Sequence, residues 1–142
     1  MFTGEYNHTI DAKGRIIVPS KLREELGEVF VITRGLDGCL FVYPDEEWKN
    51  FVDKLKDLPG TKQARKLQRA FLAAAAYCEI DKQGRVLIPA NLREYAGLDK
   101  DVVFAGVNQK IEVWSKTKWD EVNDYSDIDE AAEELSEFGL NF

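Results

Sequence analysis

The sequence predicts an α+β protein, mainly β, in which two like halves form one pseudo-two-fold barrel with helices at its periphery. The first observation is a repeat: IDAKGRIIVPSKLRE at residues 10–24 returns as IDKQGRVLIPANLRE at 80–94, with eight identical residues in fifteen positions. The second is that short β-branched runs separated by turn residues surround each copy, as in strands. The third is size. A unit of about forty residues cannot bury a core alone, so two copies are expected to cover each other's open faces.

The elements of the first unit follow in order along the chain. Alternating polar and apolar residues at 6–10 predict a first strand. DAKG at 11–14 predicts a type I turn, because Asp at the first position bonds nearby backbone N–H groups and Gly suits the fourth. The β-branched run at 15–18 predicts a second strand, and a short helix closed by Gly27 follows. Two further strands, VFVITRG and CLFVYP, complete the unit.

Helices are predicted after each unit. The first carries apolar residues at helical spacing: Trp48, Phe51, Val52, Leu55 and Leu58. Thr61 can cap the next, KQARKLQRAFLAAAA, whose core-facing stripe is Ala64, Leu67, Phe71 and Ala75. The second unit ends with the start of a helix at 115–119. Beyond it, apolar spacing predicts a weak, acidic amphipathic helix with Ile128, Ala131, Leu135 and Phe138 on one face.

The chain is therefore expected to have four parts. Residues 1–60 form the first repeat with its helix, 61–77 a connecting helix, 78–119 the second repeat, and 120–142 an acidic tail. The net charge of −7 hides an uneven distribution: nine of the 26 acids and none of the 19 bases lie in the tail. The remaining 119 residues carry a net charge of +2. An acidic tail is thus attached to a nearly neutral body.

Several functional classes are excluded by residues that the chain lacks. No apolar run approaches the roughly 18 residues that span a membrane, and the N-terminus lacks a signal-peptide core, so we expect a cytoplasmic protein. Cys39 and Cys78 lie in apolar segments and are expected to be buried thiols. His8 is the only histidine, and there is no CxxC pattern, no Ser-His-Asp set and no phosphate-binding loop. We expect no metal, cofactor, small-molecule substrate or enzymatic activity.

The repeated turns contain residues with a structural explanation. Asp11 and Gly14 in DAKGR, and Asp81 and Gly84 in DKQGR, are the residues that turn geometry requires. We interpret these four as turn-forming residues.

The basic residues of the same turns are not explained by turn geometry. Arg15 and Arg85 recur after the glycine, with Lys13 and Lys82 beside them. An Asp four residues earlier can hold each guanidinium by a charge-assisted hydrogen bond. These side chains are either solvated charges or a symmetric pair of anion-binding loops. Two basic loops related by a pseudo-axis would suit duplex DNA, whose phosphates and guanine edges are targets of arginine.

The doubled motif resembles the MraZ family of bacterial transcriptional regulators, tandem members of the AbrB/SpoVT superfamily. The segments MFTGEYNHTIDAKGRIIVPSKLRE and CEIDKQGRVLIPANLREYAGL carry the resemblance, which covers residues 1 to 120. Each contains a DxxxR sequence followed by an aliphatic strand and Pro.

The resemblance implies a swapped-hairpin barrel of two interleaved half-units. It also implies a DNA-binding regulator, acting at the nucleoid on direct repeats upstream of the division and cell-wall gene cluster and of its own gene, and a ring-like homo-oligomer. The DNA contacts carried over to this chain are Arg15, Arg85, Lys13, Lys82 and Gln83.

Three alternatives remain. The first is an antitoxin-like module whose acidic tail binds a protein partner, although such modules carry one copy of the unit in each chain. The second is a purely structural ring protein. The third concerns only one segment: the run of bases Lys62, Arg65, Lys66 and Arg69 is either a solvated helix face or a contact to the DNA backbone.

Overall fold

The computed structural model describes all 142 residues as a mixed α+β protein with mostly antiparallel strands. The strands are β1 (Glu5–Thr9), β2 (Arg15–Ile17), β3 (Val29–Arg34), β4 (Leu40–Pro44), β5 (Ala76–Glu79), β6 (Arg85–Leu87), β7 (Asp101–Val107) and β8 (Lys110–Ser115). The helices are α1 (Ser20–Leu26), α2 (Asp45–Lys56), α3 (Lys62–Leu72), α4 (Ala90–Ala96), α5 (Lys116–Val122) and α6 (Ile128–Glu134), followed by a 3₁₀ helix (Leu135–Phe138). The α+β class is confirmed.

The first strand of each unit pairs with the hairpin of the other unit. The six-stranded sheet has the order β1-β7-β8-β4-β3-β5. β1 lies beside β7, with Tyr6 opposite Phe104, and β5 lies beside β3, with Cys78 opposite Phe30. If each strand is replaced by its equivalent in the other unit, the same order results, read from the opposite edge of the sheet. The repeat in the sequence therefore corresponds to a symmetric arrangement of strands.

The pseudo-two-fold relation is clearest in the second sheet, a ribbon of β2 and β6. Ile16 pairs with its repeat equivalent Val86 at the centre of this antiparallel ribbon. Arg15 then pairs with Leu87, and Arg85 pairs with Ile17. The ribbon therefore presents Arg15 and Arg85 in equivalent positions.

The strands do not close into the barrel that the sequence predicts. β1 and β5 remain the edges of the six-stranded sheet, and the ribbon is a separate sheet. Pro19 and Pro89 follow two residues after β2 and β6, and proline cannot donate to a ladder, which keeps both strands short. The ribbon instead packs on one face of the large sheet through buried Ile16 and Val86.

Alternation along the strands gives each face of the large sheet its own core. One face packs against the ribbon, α1 and α4 through Phe30, Ile32, Val102, Phe104, Leu22 and Leu92. The other packs against α2 and α3 through Val31, Phe41, Tyr43, Trp48, Leu55 and Phe71. Both faces of the central strands are thus buried, and the β2–β6 ribbon lies on the face opposite α2 and α3.

The connection between the units differs in detail from the sequence-based expectation. Thr61 caps α3 as predicted, its hydroxyl accepting from the N–H of Ala64 at 3.1 Å. The helix ends at Leu72 rather than continuing through the alanines, because Ala76 begins β5 and pairs with β3. Sheet pairing here overrides the helix propensity of alanine. The buried hydroxyl of Thr33 donates to the carbonyl of Phe71 at 2.6 Å, at the end of α3.

The helix predicted in the tail is present, but its apolar residues are not buried. Ile128 is 54% exposed, Leu135 51% and Phe138 77%. Leu58 and Leu67, both predicted on apolar helix faces, are also partly exposed. None of the helices has the length and apolar character that a bilayer crossing requires.

Candidate nucleic-acid interface

The first repeated turn is built around the carboxylate of Asp11. Its Oδ1 accepts from the backbone N–H of Lys13 at 3.0 Å and from that of Arg15 at 2.9 Å. The N–H of Gly14 donates to the carbonyl of Asp11 at 3.0 Å. Asp11 and Gly14 thus make the hydrogen bonds that close this turn.

The second turn repeats the same bonds. Oδ1 of Asp81 accepts from the backbone N–H of Gln83 at 2.8 Å and of Arg85 at 2.9 Å. The N–H of Gly84 donates to the carbonyl of Asp81 at 3.0 Å. The two turns therefore have one geometry despite the different residues at their tips.

The same aspartates orient the two arginines. Nε of Arg15 donates to Oδ2 of Asp11 at 2.9 Å, and Nε of Arg85 donates to Oδ2 of Asp81 at 3.0 Å. Neither guanidinium makes a hydrogen bond through its terminal nitrogens. The arginine side chains are 34% and 28% exposed. Each arginine is thus held through Nε, and its two terminal nitrogens can donate to a ligand in the plane of the guanidinium.

The remaining predicted contact residues lie at the tips of the turns. Lys13 is exposed in the first turn, and Lys82 and Gln83 are exposed in the second. None of the three side chains forms an ion pair or hydrogen bond within the chain. Both turns therefore present unpaired polar groups next to an oriented arginine.

The outward face of the ribbon also carries two apolar residues that the sequence reasoning missed. Ile17 is 43% exposed and Leu87 is 57% exposed, beside Arg85 and Arg15 respectively. Their alternation with buried Ile16 places them on the same face as the arginines. Period-two alternation in each copy was the signal that could have identified them.

Each turn is joined to the other unit through its glycine. The carbonyl of Gly84 accepts from the N–H of Val18, and that of Gly14 accepts from the N–H of Ile88, both at 2.9 Å. The turns are therefore fixed relative to one another by the pairing of the two halves.

Two more arginines, Arg23 and Arg93, support the turns and were not predicted as site residues. The guanidinium of Arg93 lies against Gly14, and that of Arg23 lies against Gly84, so closely that a Cβ at either glycine would overlap it. Nε of Arg23 donates to the carbonyl of Val18 at 2.7 Å, whereas Nε of Arg93 is buried without a partner. Both stand in the sequence LRE, which occurs in each copy of the repeat, and this recurrence could have identified them from the sequence.

Both cysteine thiols are buried, Cys78 in the core under the ribbon and Cys39 in the core under α2 and α3. Burial raises the pKa of the Cys39 thiol to about 12 and that of Cys78 to about 11, so both stay protonated at neutral pH. No group of three or more His, Cys, Asp or Glu side chains is placed to hold a metal. The chemistry of the site is that of donor groups and positive charge.

The ion pairs Asp11–Arg15 and Asp81–Arg85 should be sensitive to acid. Hydrogen bonds from the backbone N–H groups of Arg15 and Arg85 lower the pKa of Asp11 and Asp81 below the ordinary value. A lowered folded-state pKa gives stability that is fully present above the unfolded-state pKa of about 4 and is lost as pH falls through the folded-state value.

We therefore expect the double variant Asp11→Asn, Asp81→Asn to show a weaker acid dependence of its melting temperature than the wild type. Asparagine keeps an acceptor for the turn but cannot accept from Nε of arginine through its amide nitrogen. Thermal unfolding between pH 7 and pH 2.5 measures the difference, and circular dichroism at pH 7 checks the fold. Parallel curves for the two proteins would contradict the assigned role of the carboxylates.

Comparison with known proteins identifies the family. A family model with the description "MraZ protein, putative antitoxin-like" matches residues 1–70 and again 71–139. A protein of Lachnoclostridium phytofermentans is 69% identical over 142 residues, covering all of both chains. Proteins of Thermoanaerobacter sp. (59% identical) and Clostridium tetani (55%) are each covered over their full length by 99% of this chain. All three are named "Transcriptional regulator MraZ", a role that is not enzymatic. The chain belongs to the MraZ family.

Proposed function

We propose that the chain is a transcription regulator that reads specific DNA sequences with the β2–β6 ribbon and its two turns. The observation that carries the proposal is the pair of symmetry-related arginines, Arg15 and Arg85, each fixed by an aspartate with its terminal nitrogens unused. The major groove of B-DNA accommodates a two-stranded ribbon, and a guanidinium can bond the O6 and N7 atoms of guanine together. The regulator names of the relatives support the same reading.

The residues of the ribbon and turns would have different roles in DNA recognition. Arg15 and Arg85 contact guanine edges, and Lys13 and Lys82 contact phosphates, which adds affinity that does not depend on sequence. Gln83 replaces Lys13 in the second turn and offers an amide, the group that pairs with adenine. The two turns would thus read different bases within one site.

The proposed target is a set of direct repeats in the promoter of the protein's own operon, at the start of the division and cell-wall gene cluster. The support is the membership of the MraZ family. The protein would act at the nucleoid in the cytoplasm, as two interleaved, swapped-hairpin half-units. Pairing of β1 with β7 and of β5 with β3 supports the exchange.

Homo-oligomers larger than a dimer would supply the affinity that one small reading surface lacks. Several protomers on neighbouring sites raise one another's effective concentration. An isologous dimer would demand palindromic half-sites, but here the two-fold relation already lies within the chain. Head-to-tail association instead fits repeats that point in the same direction.

The test is a titration of promoter DNA with one, two and three repeats at fixed salt, with light scattering of the free protein. We expect an oligomer, and at least tenfold tighter binding to three repeats than to one, since avidity gains of about 10²–10⁴ are typical. Duplex with scrambled repeats is the control. A monomer that binds one repeat as tightly as three would refute the assembly, and equal binding to scrambled DNA would refute the function.

The acidic tail is proposed to limit non-specific binding by repelling DNA. Deleting residues 120–142 removes nine acids and no base, so we expect tighter binding to a short random duplex, most clearly at low salt. Fluorescence anisotropy at several salt concentrations measures this. A duplex as short as one site keeps changes in assembly out of the comparison. Unchanged or weaker binding by the truncated protein would contradict the repulsion.

An antitoxin-like module is the second candidate, favoured by the wording of the family description and by the exposed apolar residues of the tail. The tail would then bind a different protein. The two units within one chain weigh against it, since such modules pair between chains. DNase footprinting on the DNA upstream of the protein's own gene tests the regulator, for which a protected set of repeats is expected. A second protein that binds the full-length chain and not the chain without residues 120–142 is expected only for the antitoxin-like module.

A further inference from the structure

Helices α3 and α6 occupy equivalent places in the two units. α3 follows β4 and α2, and α6 follows β8 and α5. Their charges are opposite: residues 62–69 hold four bases and no acid, whereas residues 127–137 hold six acids and no base. The repeat thus gives one chain two equivalent segments with complementary charge.

The two segments also differ in packing. α3 buries Phe71 against Phe41 and Phe51 on the face of the sheet. No residue of α6 or of the 3₁₀ helix is buried, and no hydrogen bond, strand pairing or ion pair joins residues 124–142 to the rest of the chain. A helix as short as α6 is marginal in water unless an apolar face is packed. The tail therefore needs a surface that its own chain does not provide.

The apolar residues of the tail support this need. They lie along α6, the 3₁₀ helix and the last residues, and each is at least half exposed: Ile128, Leu135, Phe138, Leu140 and Phe142. Exposed apolar residues this close together mark an interaction surface more often than an ordinary solvent face.

A matching surface lies on and beside α3. Its bases Lys62, Arg65, Lys66 and Arg69 are without ion-pair partners. Next to it, a groove of about 410 Å³ runs between α2 and α3. Aromatic and aliphatic side chains line the groove, with Lys54 and Lys110 among them against one acid, Glu47. The bases lie on the face of α3 opposite buried Ala64 and Phe71, and the groove lies on the side that carries Leu67. An acidic tail with apolar side chains complements these two neighbouring surfaces.

We propose that the tail of one copy of this chain binds α3 and the adjoining groove of a second copy. The acids of residues 127–137 face the bases of α3, and the apolar end of the tail, including Phe138, enters the groove. The donor and acceptor surfaces are different, so the contact is heterologous and repeats from copy to copy until a ring closes. The inference rests on the homo-oligomer of the proposed function and names the segments that join it.

Charge exchange in the full-length chain tests the contact. One variant changes Lys62, Arg65, Lys66 and Arg69 to Glu. The other changes Asp129, Glu130, Glu133 and Glu134 to Lys. Each alone has like charges on both surfaces, and we expect its mass by light scattering to fall several-fold, toward the 16.2 kDa of one chain. Mixing the two variants, or combining them in one chain, restores opposite charges at every contact and should restore the large assembly.

Matched controls separate charge from folding. A variant with Lys21, Lys49, Lys56 and Lys100 changed to Glu alters the net charge equally at exposed sites outside both surfaces and should keep the wild-type mass. Phe138→Ser should weaken assembly without any change of charge. Circular dichroism verifies the fold of each variant.

The outcomes are distinct. Unchanged mass in both single variants, or no recovery on mixing, would overturn the tail contact while leaving an oligomer with another interface. If the α3 variant keeps its mass but loses affinity for a one-repeat duplex, α3 is a DNA-backbone contact and the inference is wrong. A wild-type protein that is monomeric would refute the oligomer itself. Specific binding of one repeat by the monomeric variants would leave the DNA-reading function intact.

Discussion

Replacing both Arg15 and Arg85 by alanine is expected to abolish sequence-specific DNA binding and to leave the fold intact. The geometry gives the reason: each guanidinium uses only Nε within the chain and keeps its terminal nitrogens free. A good bidentate contact to a base is worth about 1–3 kcal/mol. Each single variant should therefore lose about 5- to 150-fold in affinity for the operator, the direct repeats proposed as the target. The two sites are separate contacts, so their losses should be close to additive.

The measurement is fluorescence anisotropy with operator and random duplexes at one salt concentration, together with thermal unfolding. The arginine double variant should bind the operator no better than random DNA, at a melting temperature close to that of the wild type. The matched control is Lys13→Ala, Lys82→Ala. It should weaken binding to both duplexes alike and reduce the salt slope by about one for each lysine. Wild-type operator affinity in the arginine double variant would show that the ribbon is not the reading surface.

Gly14→Ala is expected to destabilise the protein strongly and to displace the first turn. Gly14 has φ +91°, a region that side chains rarely adopt, and a Cβ there would overlap the guanidinium of Arg93. Backbone strain of this kind costs about 1–3 kcal/mol, and moving the packed arginine adds to it. Since the free energy of unfolding of a small domain is about 5–15 kcal/mol in total, this loss would be a large fraction of it.

A double-mutant cycle separates the two causes. Gly27 has φ +82° with no atom within 4 Å of an added Cβ, so Gly27→Ala measures the cost of a side chain at positive φ without any overlap. Arg93→Ala removes the overlapping side chain, so Gly14→Ala should cost less in that background than in the wild type. Urea denaturation gives the free energies of unfolding. Equal costs for Gly14→Ala in both backgrounds would contradict the contact between Arg93 and the turn.

Local features of this protein could be predicted from the sequence because they depend on residues close together in the chain. The bonds within the turns connect Asp11 with residues two and four positions later, and the second copy repeats them at Asp81. The pairing of Asp11 with Arg15 follows from the same spacing. The cap at Thr61 and the strands of each unit are equally local. The family resemblance rests on these same segments.

Features that join the two halves were decided by the tertiary structure. The packing of Arg93 against Gly14, and of Arg23 against Gly84, brings together residues far apart in sequence, and no local pattern indicates which glycine an arginine will contact. The open sheet in place of a closed barrel depends on which strands find partners at its edges. α3 ends at Leu72 because β3 offers Ala76–Glu79 a ladder, a competition that helix propensity does not describe.

The tail combines a feature that the sequence determines with one that depends on the tertiary structure. Its acidity and helical spacing are visible in the sequence, and the helix forms at Ile128–Glu134 as the spacing predicts. Whether its apolar face is covered depends on the surfaces that the folded chain brings near it, and the body leaves that face exposed. The sequence alone determined the repeat, the turns and the oriented arginines, because those interactions are short in range. Only the tertiary structure decided how the strands of the two halves pair and which surfaces stay open, because pairing and burial are properties of the folded chain as a whole.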